Sequence, residues 1–233
     1  MHPLIPLIIL GMLVLFGGVL FLGFGLPAIR ERRRKQELAE WARGHGWRYD
    51  EERSDLLGVL FPPVPPHLFA FHRARHVLSG THRGRAVLAF EHVQPNPRTG
   101  TGGGSRATVQ RVVAVETPGS TPLLDVREQE VGHKLLDLIG LRDFEVGNPA
   151  FDRAFRVATS HEGFARDVLN GPLADRLLAE GGDRRRPLRF CGGHLTTTER
   201  APLDPDEVGA VADHLIDLLQ QVDPRVWDGG RPA

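Results

Sequence analysis

The chain has 233 residues, with 29 basic and 29 acidic side chains and therefore no formal net charge. This balance excludes a strongly basic surface of the kind that gathers nucleic acid, so no nucleic-acid partner is predicted. Cys191 is the only cysteine, which excludes an intrachain disulfide and a fold that depends on an oxidising compartment.

The first 29 residues are predicted to form a transmembrane helix. Residues 4–26 carry no charged side chain, and sixteen of these 23 residues are Leu, Ile, Val or Phe. As a helix they would extend over ~34 Å, enough to cross a hydrocarbon core of ~30 Å. A cleaved signal peptide is the alternative, but such peptides have a basic start, a shorter apolar core and a small-residue cleavage motif. The sequence favours the membrane helix.

Five basic residues follow the apolar segment directly, and none precedes it: Arg30, Arg32, Arg33, Arg34 and Lys35. Because such residues stay on the cytoplasmic side of a span, we expect a single-pass protein of the plasma membrane, with its N-terminus outside and its C-terminal domain in the cytoplasm. Anionic head groups attract each of these side chains by ~1 kcal/mol, so membrane lipids are a predicted partner. A plain stop-transfer flank is the simpler alternative.

Three glycines recur every seven residues in the apolar segment, at Gly11, Gly18 and Gly25. On a helix this spacing places them along one face, where small residues allow two helices to approach closely. A homo-oligomer formed through this helix is therefore one hypothesis. The alternative is that glycine is simply common in membrane helices.

Two segments are predicted between the apolar segment and the main domain. Residues 30–45 continue as a basic juxtamembrane helix that ends near two glycines. Residues 46–73 form a connector with the proline-rich stretch FPPVPPHLF at 61–69, which favours an extended path. The proline-rich stretch is either a stiff spacer or a docking ligand for a partner protein that the sequence does not name.

Residues 74–226 are predicted to form an α+β globular domain, followed by a tail at 227–233. Short alternating runs in 74–92, 107–117 and 122–128 indicate strands. A helical pattern follows at 131–140, and a second set of strands and helices begins after residue 142. This order hints at two related halves split near 142.

The C-terminal half of the domain carries clear start and stop signals. Ser160 is expected to cap a helix that ends near residue 169. A hairpin is predicted at 187–199, turning at two adjacent glycines. Asp204 is expected to cap the last helix, with Glu207 completing a capping box. Because strands come in adjacent pairs, antiparallel pairing is favoured over a parallel sheet.

Histidines are frequent between residues 67 and 92, and three of them, His72, His76 and His82, are weak candidates for metal ligands. A zinc site needs three or four converging ligands, and no cysteine or carboxylate pattern completes the set. The glycine-rich loop TGTGGGS at 99–105 lacks the lysine and following helix of a phosphate-binding loop. No cofactor and no catalytic residue are predicted.

Four stretches, in this order, resemble a group of uncharacterised membrane-anchored proteins of high-GC Gram-positive bacteria: WARGHGWRY, VLSGTHRGRAVLAFEH, FEVGNPAFDRAFRVATSHEGFARDVLNGPLADRLL and VWDGG. The resemblance covers nearly the whole chain. It implies an anchor with a cytosolic domain, and it implies no catalytic residue, since the group has no assigned activity.

The sequence therefore predicts a single-pass membrane protein whose cytoplasmic α+β domain is a binding or scaffolding module. The alternative is a membrane-tethered enzyme or metal-binding protein with a site near the histidine-rich segment 67–92. No known nucleophile, zinc or nucleotide-binding motif occurs in the chain to support an enzyme.

Overall fold

A computed structural model of the chain describes Met12 and residues 26–61, 72–94, 107–129, 143–181 and 186–228. The chain divides into two compact units, residues 1–45 and residues 46–233. The first unit contains helix α1, Leu26–Gly44. Its last turn is followed by His45, whose backbone N–H donates to the carbonyl of Trp41 at 3.1 Å and whose ring stacks on the Trp41 indole.

The prediction of a transmembrane helix in the fold is wrong for the part of the chain that the structure describes. No helix in that part is both long enough and apolar enough to cross a membrane. Helix α1 has 19 residues, but six basic and three acidic side chains make it too polar for a hydrocarbon core. The fold class is therefore corrected to α+β with an antiparallel sheet and helices. The three predicted helix-association residues, Gly11, Gly18 and Gly25, lie outside the described residues.

The second unit is built around one antiparallel sheet with the strand order β1-β2-β3-β4-β9-β8-β5-β7-β6. The strands are β1 Arg48–Glu52, β2 Arg73–His82, β3 Arg85–Gln94, β4 Thr108–Glu116, β5 Leu124–Glu128, β6 Asp143–Phe144, β7 Phe155–Thr159, β8 Leu188–Cys191 and β9 His194–Glu199. The helices are α2 Asp55–Leu60, α3 Pro149–Ala154, α4 Glu162–Leu169, α5 Pro172–Ala179, α6 Pro205–Leu219 and α7 Arg225–Asp228. Strands from both sides of residue 142 thus share one sheet, and β1 and α2 lie in the segment predicted as a connector.

The antiparallel pairing follows from local signals in the sequence. Adjacent strands are joined by tight turns whose residues take positive φ, as at Gly84 with φ +79° and at Gly192 and Gly193 with φ +57° and +76°. Only glycine adopts this region at low cost. The predicted hairpin at 187–199 is confirmed as β8 and β9. The helical pattern at 131–140, the glycine-rich loop at 99–105 and most of the proline-rich stretch lie outside the described residues.

The sheet has two faces, and different helices cover them. We call the face covered by α6 face B and the opposite face, covered by α2, face A. On face B, Arg111 of β4 forms an ion pair with Glu207 of α6. Just before α6, the Leu203 N–H donates to the Glu91 carboxylate of β3 at 2.9 Å. Face A carries α2, whose buried leucines share a core cluster with residues of β2, β3 and β4: Leu56, Leu57, Leu60, Ala74, Val77, Phe90, Val112 and Ala114. Face A continues across β9, β8, β5, β7 and β6, where it becomes polar.

Two of the predicted helix caps have different outcomes. Asp204 caps α6 as predicted, accepting from the Asp206 N–H at 3.1 Å. The prediction of Ser160 as a cap for α4 is wrong: His161 caps the helix, its Nδ1 accepting from the Phe164 N–H at 3.0 Å. Ser160 Oγ instead accepts from the Leu123 N–H at 3.1 Å. Ser160 follows β7 directly, and its own N–H also pairs with the Leu123 carbonyl just before β5.

Candidate functional site

A row of charged side chains crosses face A over strands β8, β5, β7 and β6. We call it the polar row, and it consists of Arg189, Asp125, Arg127, Arg156 and Asp143. The register pairs Arg189 with Asp125 across β8 and β5, and Arg127 with Arg156 across β5 and β7. Because directly paired residues of antiparallel strands share a face, these side chains project to the same side. The pairing of strands far apart in sequence assembles the row.

The centre of the polar row is a buried carboxylate that two guanidinium groups share. Arg189 donates through Nε at 2.8 Å and through Nη2 at 2.5 Å to Asp125 Oδ2. Arg127 donates to both oxygens of the same carboxylate, at 2.5 Å and 3.0 Å. Asp125 is only 1% exposed and Arg189 only 7%. The three groups together carry one net positive charge in a poorly solvated place.

The arginines decide the charge state of Asp125. Burial by itself would raise the pKa of this carboxyl, since the charged form loses its hydration. The charges of Arg189 and Arg127 and their hydrogen bonds outweigh that cost and hold the pKa of Asp125 below its usual value. The carboxylate is therefore ionised at neutral pH, and the group remains an ionic network.

The far end of the row has a different arrangement. Arg156 Nε lies 2.7 Å from Asp143 Oδ1 of the edge strand β6. Arg127 and Arg156 are each 19% exposed and face one another across β5 and β7. Each guanidinium thus has a carboxylate partner, Asp125 for Arg127 and Asp143 for Arg156, and the register sets both acids opposite Ala158 of β7. Like charges in directly opposed positions destabilise a sheet.

An aromatic side chain connects the polar row to a pair of histidines. The Arg189 Cζ atom lies 5.2 Å from the centroid of the Phe61 ring, which in turn lies 5.1 Å from the centroid of the His92 ring. His92 Nε2 is 3.0 Å from Nδ1 of His72. We call His72 and His92 the histidine pair. Together with Phe61 it extends the polar surface from β8 back to β3.

Hydrogen bonds define the tautomers of the histidine pair. Gln94 Nε2, which also donates to Gln110, lies 3.2 Å from His92 Nδ1. Because an amide nitrogen can only donate, His92 Nδ1 accepts, and a neutral His92 then carries its proton on Nε2 and donates it to His72. Burial first, and then the nearby charges of His72 and Arg189, lower the pKa of His92 to about 4. His92 is therefore neutral at physiological pH.

The structure separates the three predicted metal candidates. His72 bonds His92, whereas His76 Nδ1 lies 2.9 Å from the Tyr49 hydroxyl and His82 Nε2 lies 2.9 Å from Asp213 Oδ1. No group of three or more histidine, cysteine, aspartate or glutamate side chains in the described ranges is arranged to hold a metal ion. His72, His76 and His82 therefore do not converge on a zinc site in the part of the chain that the structure describes.

The only cysteine is a core residue. Cys191 is buried, and burial raises the pKa of its thiol. Its register partner on β9, His194, directs Nδ1 toward the carbonyl of Gly192 at 3.0 Å. A raised pKa disfavours the thiolate that a nucleophile needs, so the environment of Cys191 suits packing.

The predicted lipid-contacting residues all lie on α1. Arg30, Arg32 and Arg33 are exposed to solvent, while Arg34 and Lys35 are partly buried. The sequence contains one signal for the polar row. Asp125 and Arg127 lie two residues apart within one predicted strand, which places both side chains on one face. Arg189 gave no such signal, because its partnership with Asp125 depends on a non-local strand pairing.

Fold and site together define a class of protein: an α+β domain with one long antiparallel sheet and an ionic row on one face. No family model matches the chain, and no curated protein matches it. Among solved structures, the crystal structure of the mycobacterial trehalose monomycolate transport factor A, TtfA, is similar, with a TM-score of 0.53 and 18% sequence identity. The match covers 82% of this chain and 96% of that chain. At this identity the likeness shows the fold alone. The mycobacterial source of that neighbour agrees with the predicted resemblance at the level of high-GC Gram-positive bacteria.

Proposed function

We propose that residues 46–233 form a binding module that serves a transport process, with the polar row, Phe61 and the histidine pair as its recognition surface. The observation that carries the proposal is the shared carboxylate: Asp125 is 1% exposed and holds two arginines. Buried ion pairs of this kind seldom add stability over an apolar core. A role in recognition accounts for charges in a place where packing alone would favour apolar side chains.

The second support is the fold. The structure that shares it is described as a transport factor for trehalose monomycolate. Cargo or partner recognition by a sheet face is a function that such a domain can supply without catalysis. The same reasoning favours binding over the scaffolding alternative, because the polar row concentrates charged groups at one defined place on the sheet face.

The geometry gives an enzyme less support than a binding module. Both ring nitrogens of His92 are engaged in hydrogen bonds, and its pKa of about 4 leaves it a weak base. Within the described residues, the one thiol is buried with a raised pKa. General acid–base catalysis needs a group whose pKa lies near the working pH, and His92 does not meet that condition.

The test is a search for a bound small molecule. The full chain, purified from cells that produce it naturally, would be examined by native mass spectrometry beside the double variant Asp125→Leu with Arg189→Met. The control is Arg73→Gln, which removes an exposed arginine whose partner is Glu52. We expect the spectra of the wild type and the control to show the added mass of a non-covalently bound molecule, and the spectrum of the double variant to lack it. Equal masses on all three proteins, or none on any, would contradict the proposal.

We also propose that α1 holds the protein at an anionic membrane surface. Arg30, Arg32 and Arg33 are exposed on this helix, and each is attracted by ~1 kcal/mol to anionic head groups. Replacing all three by glutamine should weaken binding to phosphatidylglycerol vesicles on the order of 100-fold. Arg43→Gln at the other end of α1 is the control. Binding is measured by flotation with the vesicles. Equal flotation of the triple variant and the wild type would argue against this role, and so would wild-type binding to phosphatidylcholine vesicles as strong as to phosphatidylglycerol vesicles.

A further inference from the structure

The hydrogen bonds around the histidine pair run in one direction. The side-chain nitrogen of Gln94 donates to Gln110 Oε1 at 3.1 Å and lies 3.2 Å from His92 Nδ1. On the other side of the same ring, His92 Nε2 lies 3.0 Å from His72 Nδ1. Because an amide nitrogen can only donate, Gln94 donates to both of its neighbours and His92 donates to His72. We call these four side chains the histidine–glutamine chain.

An added proton would set two donors against each other in the histidine–glutamine chain. On His72 Nδ1 it would face the Nε2–H of His92, and on His92 Nδ1 it would face the N–H of Gln94. Turning the Gln94 amide over would offer His92 an acceptor, but it would also bring the Gln94 oxygen against Gln110 Oε1. The chain therefore suits two neutral rings, and the uptake of a proton requires that its hydrogen bonds rearrange.

The surroundings of His92 also disfavour a positive charge. The residue is 2% exposed. Three uncharged side chains adjoin it from β2, β4 and the end of α2: Ala74, Gln110 and Phe61. Burial first, and then the charges of His72 and Arg189, lower its pKa to about 4. The carboxylate of Glu91, its neighbour on β3, is bonded on face B.

We propose that the histidine–glutamine chain is a proton-sensitive latch, which holds Phe61 in the recognition surface at neutral pH and releases it in acid. The Phe61 ring lies 5.1 Å from the His92 ring centroid and 5.2 Å from Arg189 Cζ, so a displaced His92 removes one of its two ring contacts. The inference rests on the proposed function, because it concerns the regulation of that surface.

Proton linkage gives the direction of the latch. In the closed form His92 resists protonation, whereas a solvated ring in an open form would titrate near its ordinary pKa of about 6.5. The open form therefore binds protons more tightly and is favoured as the pH falls. Between neutral pH and about pH 4 the shift toward the open form should be on the order of 100-fold.

NMR of the full chain, with isotope-labelled histidine and phenylalanine, tests the latch without a ligand. At neutral pH the rings of His72 and His92 should both carry their proton on Nε2, as the chain requires. As the pH falls, both rings should take up protons in the same step in which the Phe61 ring signals change. The variant Phe61→Leu identifies those signals by their loss.

A charged substitution within the chain should move this step. Gln94→Glu places a carboxylate beside His92 Nδ1, where it accepts from the protonated ring and favours its charge. The midpoint of the step should rise by about one pH unit or more, a tenfold change in proton affinity. Gln220→Glu adds the same charge at an exposed position that ends α6, on the other face, and should leave the midpoint unchanged.

The results separate the latch from an ordinary buried histidine. A common step for the two rings and Phe61, raised by Gln94→Glu and not by Gln220→Glu, supports the latch. A proton on His72 Nδ1 at neutral pH, Phe61 signals that stay constant while the rings titrate, or an equal midpoint in Gln94→Glu and the wild type would overturn it. Loss of the latch would leave the proposed function standing, because the bound mass is measured independently of these titrations.

Discussion

Arg189 and Asp125 stand directly opposite one another on β8 and β5, and the guanidinium donates twice to a single carboxylate oxygen. The two residues are 64 positions apart in the chain. Arg127 holds the other oxygen from the same strand as Asp125. The contacts between Arg189 and Asp125 therefore have two roles. They connect β8 to β5, and they fix the positions of the charged groups in the polar row.

Removing the shared carboxylate should strongly destabilise the fold. Asp125→Asn leaves two buried or half-buried cations without their counter-charge, and breaking a buried ionic group in this way costs about 3–5 kcal/mol. Urea unfolding at neutral pH, followed by circular dichroism, measures the loss. Glu52→Gln, which removes the exposed partner of Arg73, serves as the control and should cost less than about 1 kcal/mol.

The double variant Asp125→Leu with Arg189→Met should be more stable than the sum of the two single changes implies. Removing both charges avoids the unpaired state that each single variant creates. A coupling free energy indistinguishable from zero in the double-mutant cycle would show that the contact seen between these side chains does not contribute to stability.

Stability should fall as the pH decreases from about 6.5 to about 4. His92 has a pKa of about 4 in the folded chain, against ~6.5 when unfolded. The unfolded state therefore takes up a proton first, and the folded state is progressively disfavoured as the pH falls through this window. The full contribution of such a shift is about 3 kcal/mol, present above pH 6.5 and lost below pH 4.

Chemical denaturation at several pH values between 4 and 7.5 would measure this slope. His92→Gln should reduce it. The slope should not vanish in His92→Gln, because burial also lowers the pKa of His72 and of His214. Parallel pH profiles for the wild type and His92→Gln would refute the assignment.

Two glycines should respond in opposite ways to alanine. A Cβ atom at Gly80 of β2 would overlap the indole ring of Trp47, so Gly80→Ala should cost about 1–3 kcal/mol through overpacking. Gly58 of α2 has no atom within 4 Å of such a Cβ, and Gly58→Ala should add about 0.5–1 kcal/mol through helix propensity. Thermal unfolding compares the two variants. Similar melting temperatures would contradict the packing of Trp47 on Gly80.

The cap of α6 should have a measurable effect. Asp204 accepts from the Asp206 N–H at 3.1 Å, and Asp204→Ala should lower the free energy of unfolding by about 1 kcal/mol. Asp204→Ser retains a side-chain acceptor and should lie close to the wild type. If alanine and serine were equally destabilising, the loss would come from the charge of Asp204 and not from its hydrogen bond.

Local chemistry determined the elements that the sequence predicted correctly. Antiparallel strand pairs, the hairpin turn at Gly192 and Gly193 and the cap at Asp204 all depend on residues within a few positions of one another. Their signals are alternation, the conformational freedom of glycine and the short reach of a capping carboxylate. The sequence by itself therefore determined the α+β class and most of the element types.

Tertiary structure decided the site. The polar row brings Arg189 of β8 onto Asp125 of β5, and this pairing depends on where distant strands enter the sheet, for which no local pattern is diagnostic. The histidines show the same limit: their closeness in sequence suggested a common site, but strand geometry gives His72, His76 and His82 three separate partners. Sequence spacing sets which residues share a strand face, whereas the order of strands sets which charges meet.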